Sequence, residues 1–468
     1  MQYGRYRLIY ENYRSQIEFG YYRQGDTLPT IEQLCTVFSA APQTVRSALL
    51  QLQEEDFIRL SPGRKTAVVY GAPWEECRRR RQDYYLARQD AMRDLTPVLL
   101  TLLIPLLSEG CRRLQPQALR RIRRAAAEPE EENFYLAFIS GLEMILTLKN
   151  RLALDLYYEL VSFYRFPHFL YQHIPSEPLS RRFDALSAQA VDACAQCDRA
   201  ALFDVFMDVQ RLFRDILQAY VRRAEGERPP QAQVPFRWKV YRERPQQCYS
   251  IAARLIEGVY ISGAYAPGAF LPSYSALSKS LPVSLSTVRR AVDLLERLGV
   301  AAAVRGVGTQ VRAPGGALPA PPERLVSMFQ QALQLIRLSL EPTLARFFPA
   351  LAGQRASACL EALRACQMHG TGFRPLYHCL CHLLAGETGR PAGEIWDKLY
   401  EVLLLGLPLL EAPAVLEPLA GRLCARTGGQ IRGLEAGDAA LFQDSLEGLL
   451  RLGQAAAEAA AKPQIDRK

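Results

Sequence analysis

The sequence predicts a mainly α protein in which one two-domain unit is written twice. Three observations carry that expectation. Matching segments recur in one register along the chain. Each repeat opens with about 70 residues that pattern as three helices and a β-hairpin. Each then continues as a long stretch of helical periodicity with few β-branched alternations. The 468 residues exceed one ordinary domain and suit about three or four. A hydrophobic share of 49% supplies several cores, and a charged share of 22% excludes a disordered composition. The net charge of +9 permits a nucleic-acid partner without requiring one.

The repeat sets the domain plan. Gly25-Asp26-Thr27-Leu28-Pro29-Thr30 returns as Gly268-Ala269-Phe270-Leu271-Pro272-Ser273, and Thr44-Val45-Arg46 as Thr287-Val288-Arg289. Gly20 pairs with Gly263 and Gly63 with Gly306, all at an offset of 243. Phe134-Tyr135 falls on Tyr377-His378 at the same offset. Near the end of each half, Asp198 and Asp438 head similar segments 240 apart, a drift that a few loop deletions produce. So the whole unit is duplicated. The expected domains are 1–72 and 246–314 for the small heads and 73–228 and 320–468 for the helical parts. Residues 229–245 read as a linker, since Gly226 to Gln233 is polar and proline-rich. Ala313 to Pro319 separates the two parts of the second half.

Within the first head, Tyr6 to Ile17 has helical period and ends at Gly20. Thr30 with Gln33 forms a capping box that starts a second helix. Pro42 suits the first turn of a third, with Val45, Ala48, Leu49 and Leu52 inward and Gln43, Thr44, Arg46 and Ser47 off that stripe. Phe57 to Leu60 and Ala67 to Tyr70 flank a Ser61-Pro62-Gly63-Arg64 turn. In the second head Ser284 caps the third helix, Val288, Ala291, Val292 and Leu295 face inward, and Arg305-Gly306-Val307-Gly308 makes the turn.

A helix pair joined by a tight turn presents its second helix to the major groove, and a basic hairpin tip beside it reaches the DNA backbone. The candidate DNA contacts of the first head are therefore Thr30, Gln43, Thr44, Arg46, Gly63 and Arg64. Those of the second are Ser273, Ser284, Ser286, Thr287, Arg289, Arg290, Arg305 and Gly306. A three-helix module used for protein contacts is the other reading of the same pattern.

These segments resemble the GntR winged helix-turn-helix domain. The second half carries Leu271-Pro272-Ser273, Ser286-Thr287-Val288-Arg289-Arg290-Ala291 and Gly306-Val307-Gly308-Thr309; the first carries Leu28-Pro29-Thr30, Thr44-Val45-Arg46-Ser47-Ala48 and Gly63. The resemblance implies a DNA-binding regulator. Where that family has a DNA-contacting arginine after its Leu-Pro-Ser motif, this chain has Glu32 and Ser275. Pro42 and Leu285 stand at another position that is often arginine, and Lys65 replaces a wing glycine.

The helical parts are each long enough for six or seven helices. Their outline is similar to the FCD effector domain that follows many GntR heads, with Leu340-Glu341-Pro342 and the segments at Asp198 and Asp438 carrying the likeness. That resemblance implies an effector pocket, often with a metal. His378 occupies one ligand position, but Arg374 stands where the aspartate would be, and Glu131 and Tyr135 take that pair in the first half. The expectation is therefore no metal and no cofactor, with His378 and His382, four apart on one helix face, as the candidate pair. Cys194 and Cys197 form a lone CxxC that reads as core thiols, and Arg78 to Arg81 reads as a solvated helix start.

The run Leu95 to Leu107 is short of a membrane span and reads as a buried helix. Eleven cysteines without a framework and no apolar leader suggest reduced thiols in a cytoplasm. No P-loop, Gly-x-Ser-x-Gly elbow or His-Glu-x-x-His occurs, so no enzyme is expected. The function expected is a ligand-responsive transcription regulator whose partners are a double-stranded DNA operator and a small-molecule effector, with no membrane. Two heads in one chain suggest an intramolecular pseudo-dimer on an asymmetric or pseudo-palindromic operator, with a homodimer as the other arrangement. An adaptor that uses the winged helices for protein contacts is the alternative function.

Overall fold

A computed structural model describes all residues except 1, 62–64, 128–132, 166–176, 239, 241–245, 314–321, 369, 371, 386–392 and 462–468. The first head orders as α1 (Gln2–Glu18), α2 (Ile31–Val37), α3 (Pro42–Glu54), β1 (Ile58–Arg59) and β2 (Ala67–Val68). Eight helices follow among the described residues: α4 (Trp74–Leu86), α5 (Gln89–Val98), α6 (Ile104–Arg112), α7 (Pro116–Ala127), α8 (Asn133–Thr147), α9 (Arg151–Tyr164), α10 (Glu177–Gln196) and α11 (Arg199–Glu227). The second head repeats the order with α12 (Gln246–Tyr260), α13 (Tyr274–Ser280), α14 (Leu285–Arg297), β3 (Ala301–Val304) and β4 (Gly308–Val311). Its helical part contains α15 (Glu323–Leu338), α16 (Leu340–Phe347), α17 (Gly353–Met368), α18 (Arg374–Leu384), α19 (Gly393–Leu410), α20 (Pro413–Leu416), α21 (Ala420–Ala436) and α22 (Ala439–Ala461). The fold is therefore mainly α, with two small antiparallel hairpins.

The duplication holds at the level of single hydrogen bonds. α2 and α13 share their boundaries at the offset of 243, as do α3 and α14. Gly20 and Gly263 turn the chain at φ 80° and 67°, in the left-handed region that only glycine adopts cheaply. A lone bridge ties Thr27 to Ala67, and its counterpart ties Phe270 to Gln310. Later, Asp198 Oδ1 accepts from the amides of Ala200 and Ala201 and caps α11. Asp438 Oδ1 accepts from Ala440 and Leu441 and caps α22 in the same way.

Contacts divide the chain into two compact units, Met1–Thr96 with Leu106–Phe236, and Pro97–Pro105 with Arg237–Lys468. In each, the first helix of the head lies along a helix of its own helical domain. In unit 1, Arg5 Nε donates to Tyr158 Oη at 3.1 Å and Arg165 Nη2 to Glu11 Oε2 at 3.0 Å, joining α1 to the α9 end. In unit 2, Ser250 Oγ donates to Glu401 Oε2 at 2.9 Å and Lys398 Nζ to Ser250 Oγ at 3.2 Å, joining α12 to α19.

Four expectations meet a different structure. Eight helices per half replace six or seven, because a five-residue π turn, Leu99–Leu103, separates α5 from α6, and short α20 stands alone. The run Arg78 to Arg81 is solvated only in part, since Arg79 is exposed and Arg81 is interior. Arg81 is 1% exposed and donates to Tyr220 Oη and to the Phe19 carbonyl, while Arg78 pairs with Glu75 and Glu227. The segment expected as a tether is exposed over 229–235 apart from a half-buried Gln231, but is anchored at its later described residues. The Val234 amide donates to the Ala87 carbonyl, and Phe236 and Trp238 are buried. Their large apolar rings, which the proline-rich composition upstream hides, need cover. The run Leu95 to Leu107 does form helix, but Leu100 is 54% exposed. The stretch Gln89–Arg112 is long and apolar enough to cross a membrane by length and composition, and half of its apolar window is buried.

Candidate nucleic-acid interface

The sequence builds each recognition helix by capping its start and burying one stripe. Thr30 and Gln33 exchange both capping-box bonds, the Gln33 amide to Thr30 Oγ1 at 3.2 Å and the Thr30 amide to Gln33 Oε1 at 2.8 Å. Ser273 and Ser284 cap α13 and α14 by accepting from the Ala276 and Thr287 amides. Val45, Ala48, Leu49 and Leu52 are fully buried, as are Val288, Ala291, Val292 and Leu295. That stripe fixes which residues remain outside. Gln43 and Arg46 are exposed on α3, and Ser286, Arg289 and Arg290 on α14. Arg305 and Gly306 form the exposed tip of the second wing, with Gly306 at φ 76°. Gly63 and Arg64 lie outside the described residues.

Two candidates do not join this surface. Thr44 is 5% exposed and Thr287 7%. Each stands four residues before a buried alanine, Ala48 or Ala291, so helical spacing carries it onto the inner stripe. Thr287 Oγ1 sits 2.8 Å from Ser284 Oγ and completes the cap rather than reaching outward. Periodicity alone could have told this. Sequence reasoning also passed over Lys279 and Arg297, which are exposed on the last turns of α13 and α14.

The first head is braced by charge. Tyr10 Oη donates to Glu55 at 2.7 Å, and Arg14 Nη1 donates to Tyr10 Oη at 2.8 Å, which ties α1 to the end of α3. Burial and the bond to Glu55 push the Tyr10 hydroxyl up to about 12. Arg14 also pairs with Glu18 and Glu55.

Two features of the second helical domain bear on ligand binding. His378 and His382 share a face of α18, but each is held below the usual imidazole range. Burial, then His382 and Arg374, bring His378 down to about 4; burial and Arg355 lower His382. Neighbouring cations that disfavour a proton also disfavour a divalent metal. Among the described residues no group of three or more metal-ligating side chains gathers. Separately, Gln430 on α21 is fully buried with both amide atoms unpartnered. Its counterpart eight residues before Asp198 is Ala190, also fully buried.

The depressed His378 predicts a pH effect. The unfolded chain takes up the proton below about 6.5 while the native one resists it until about 4. Stability is then lost as pH falls through that window, by about 2 kcal/mol between pH 7 and 5. Chemical denaturation at the two pH values measures the loss. His378→Gln should remove most of it, and an unchanged loss would place its source elsewhere.

The family model for bacterial regulatory proteins of the gntR family matches residues 5–68 and again 249–311, the two heads. Both heads are gntR-family domains. The match stops short of the helical parts. No curated protein matches the chain by sequence. Among solved structures, a transcriptional regulator GntR from Rhodococcus sp. RHA1 is similar at 17% identity and a TM-score of 0.27, covering 46% of this chain and 99% of that one. Streptococcus agalactiae GntR is similar at 18% and 0.20, covering 44% and 99%. Escherichia coli McbR is similar at 14% and 0.21, covering 48% and 98%. The chain carries two gntR-family domains in tandem.

Proposed function

We propose that this GntR-type chain is a ligand-responsive regulator whose two heads bind one operator as a fused pseudo-dimer in the bacterial cytoplasm. The observation that carries this is the register-matched pair of recognition helices, α3 and α14, which expose Arg46 and Arg289 at equivalent places.

The ligand response rests on the docking of α1 on α9 and of α12 on α19. The same first helices pack against α3 and α14, so a shift in the helical domain reaches the recognition helix through one element. The unpaired amide of Gln430 supports an organic, polar effector in the second helical domain, since a buried amide without a partner is costly. No metal is needed for it. We assign no enzymatic step to the chain.

Light scattering of the complex with a short selected operator tests the arrangement. One chain per operator with unlike half-sites is expected. Two chains, or a strictly palindromic selected site, would sink the pseudo-dimer. The alternative, an adaptor that uses the heads for protein contacts, predicts no salt-dependent shift of promoter DNA in a gel.

A further inference from the structure

The two heads share one fold but carry different charge on their outward helices. Four positions at the 243-residue offset make the second head more positive: Glu32 against Ser275, Thr36 against Lys279, Ser47 against Arg290, and Glu54 against Arg297. These eight residues are exposed except Ser47, which is half-buried. Two positions on the recognition helices run the other way, Leu50 against Asp293 and Gln53 against Glu296. Summed over the six, the first head has charge −2 and the second +1. On the recognition helices these are not scattered sites. Ser286, Arg289, Arg290, Asp293 and Arg297 recur at helical spacing and so share one face of α14, with three arginines to one aspartate.

Pairing widens the difference. In the first head Arg5 is bound to Tyr158, Arg7 to Glu11 and Glu159, and Arg14 to Glu18 and Glu55. Such cations must break a contact before they can meet a phosphate. In the second head Lys279, Arg289, Arg290, Arg297 and Arg305 are ion-paired with no described residue. Among its described residues the first head keeps four exposed cations, Arg23, Arg46 and, on its hairpin, Arg59 and Lys65, which stand at the positions of Ala302 and Gly308 in the second.

We propose that the heads divide the DNA contact. The second docks its helix pair in the groove and supplies most of the phosphate affinity. The first engages the backbone through its wing, and its recognition helix, flanked by Glu32 and Glu54, adds little affinity because those carboxylates face phosphates of like charge. The proposal rests on the reading that both heads bind duplex DNA.

The test uses the full chain and a random-sequence duplex of about 40 base pairs, by fluorescence anisotropy between about 50 and 200 mM salt. Lys279→Ala/Arg290→Ala/Arg297→Ala should weaken binding by about thirtyfold or more and flatten the log–log salt slope by about 3. The matched Thr36→Ala/Ser47→Ala/Glu54→Ala should leave affinity within about threefold or raise it. Arg59→Ala/Lys65→Ala should flatten the slope by about 2. Because the second-head sites are exposed, unchanged melting is expected, and the charge-keeping Lys279→Arg/Arg290→Lys/Arg297→Lys should hold the wild-type slope. A second-head triple variant within threefold of wild type would overturn the division, as would equal losses from the two alanine triples or an unchanged slope from the wing variant. A wild-type chain that binds no duplex at low salt would overturn the DNA reading itself, and the division with it.

Discussion

Arg289→Ala is expected to weaken binding to the chain's selected operator by about 5- to 150-fold at physiological salt. The side chain is exposed near the start of α14, next to the buried Val288 that fixes the helix rotation. A lost bidentate contact to a base edge costs about 1–3 kcal/mol, which is that range in affinity. Operator selection followed by anisotropy against matched and scrambled duplexes measures it. A base contact should be lost mainly on the selected sequence, whereas a phosphate contact weakens all sequences alike. If affinity for the selected site is unchanged, Arg289 does not touch DNA. Arg46→Ala should cost less, since its helix carries Glu54 where α14 carries Arg297.

Gly110→Ala is expected to be the most damaging single methyl in the first helical domain. A Cβ there would stand 2.1 Å from the Met144 carbonyl oxygen and 2.6 Å from its carbon. Both are main-chain atoms of α8, so neither can swing aside as a side chain would. α6 and α8 must instead move apart. That also strains the bond from Thr147 Oγ1 to the Gly110 carbonyl at 3.0 Å. Overpacking of this kind costs about 3 kcal/mol and can exceed it. Gly226→Ala is the control, because nothing lies within 4 Å of its Cβ. Thermal melts of the two variants compare them, and a Gly110→Ala melt equal to the control would mean the helices part freely.

The heads were legible because their signals are local. Thr30 needs only Gln33 three residues on to cap α2, and the inward stripe of α14 is set by spacing alone. Both hairpins were found, though β1 and β2 are two residues each rather than four, since only Ile58 and Arg59 pair in register with Val68 and Ala67. The inward turn of Thr44 and Thr287 was missed because their polarity outweighed their position in the period. The helical domains were legible as helices and little more. Arg81 illustrates the limit. Three neighbouring arginines argue for a solvated face, and only the distant Tyr220 and the Phe19 carbonyl reveal that this one is interior. Contacts between residues far apart in the chain leave no local mark. The buried Gln430 was invisible for the same reason, since a glutamine in a helical run looks like surface.

The constant offset between the halves has a consequence for how such a regulator can change. In a symmetric homodimer one codon serves both recognition helices, so every substitution alters both half-sites at once. A single mutation must then suit two places on the DNA or fail at both. Here Ser47 and Arg290 occupy equivalent places but are encoded separately. On the proposed pseudo-dimer reading, one head can accumulate replacements while the other holds the promoter, and the operator can follow by changing one side at a time. The pairs Glu32 with Ser275 and Thr36 with Lys279 already differ between the heads. Duplication of the unit therefore releases the two ends of the binding site from a shared ancestry of mutations.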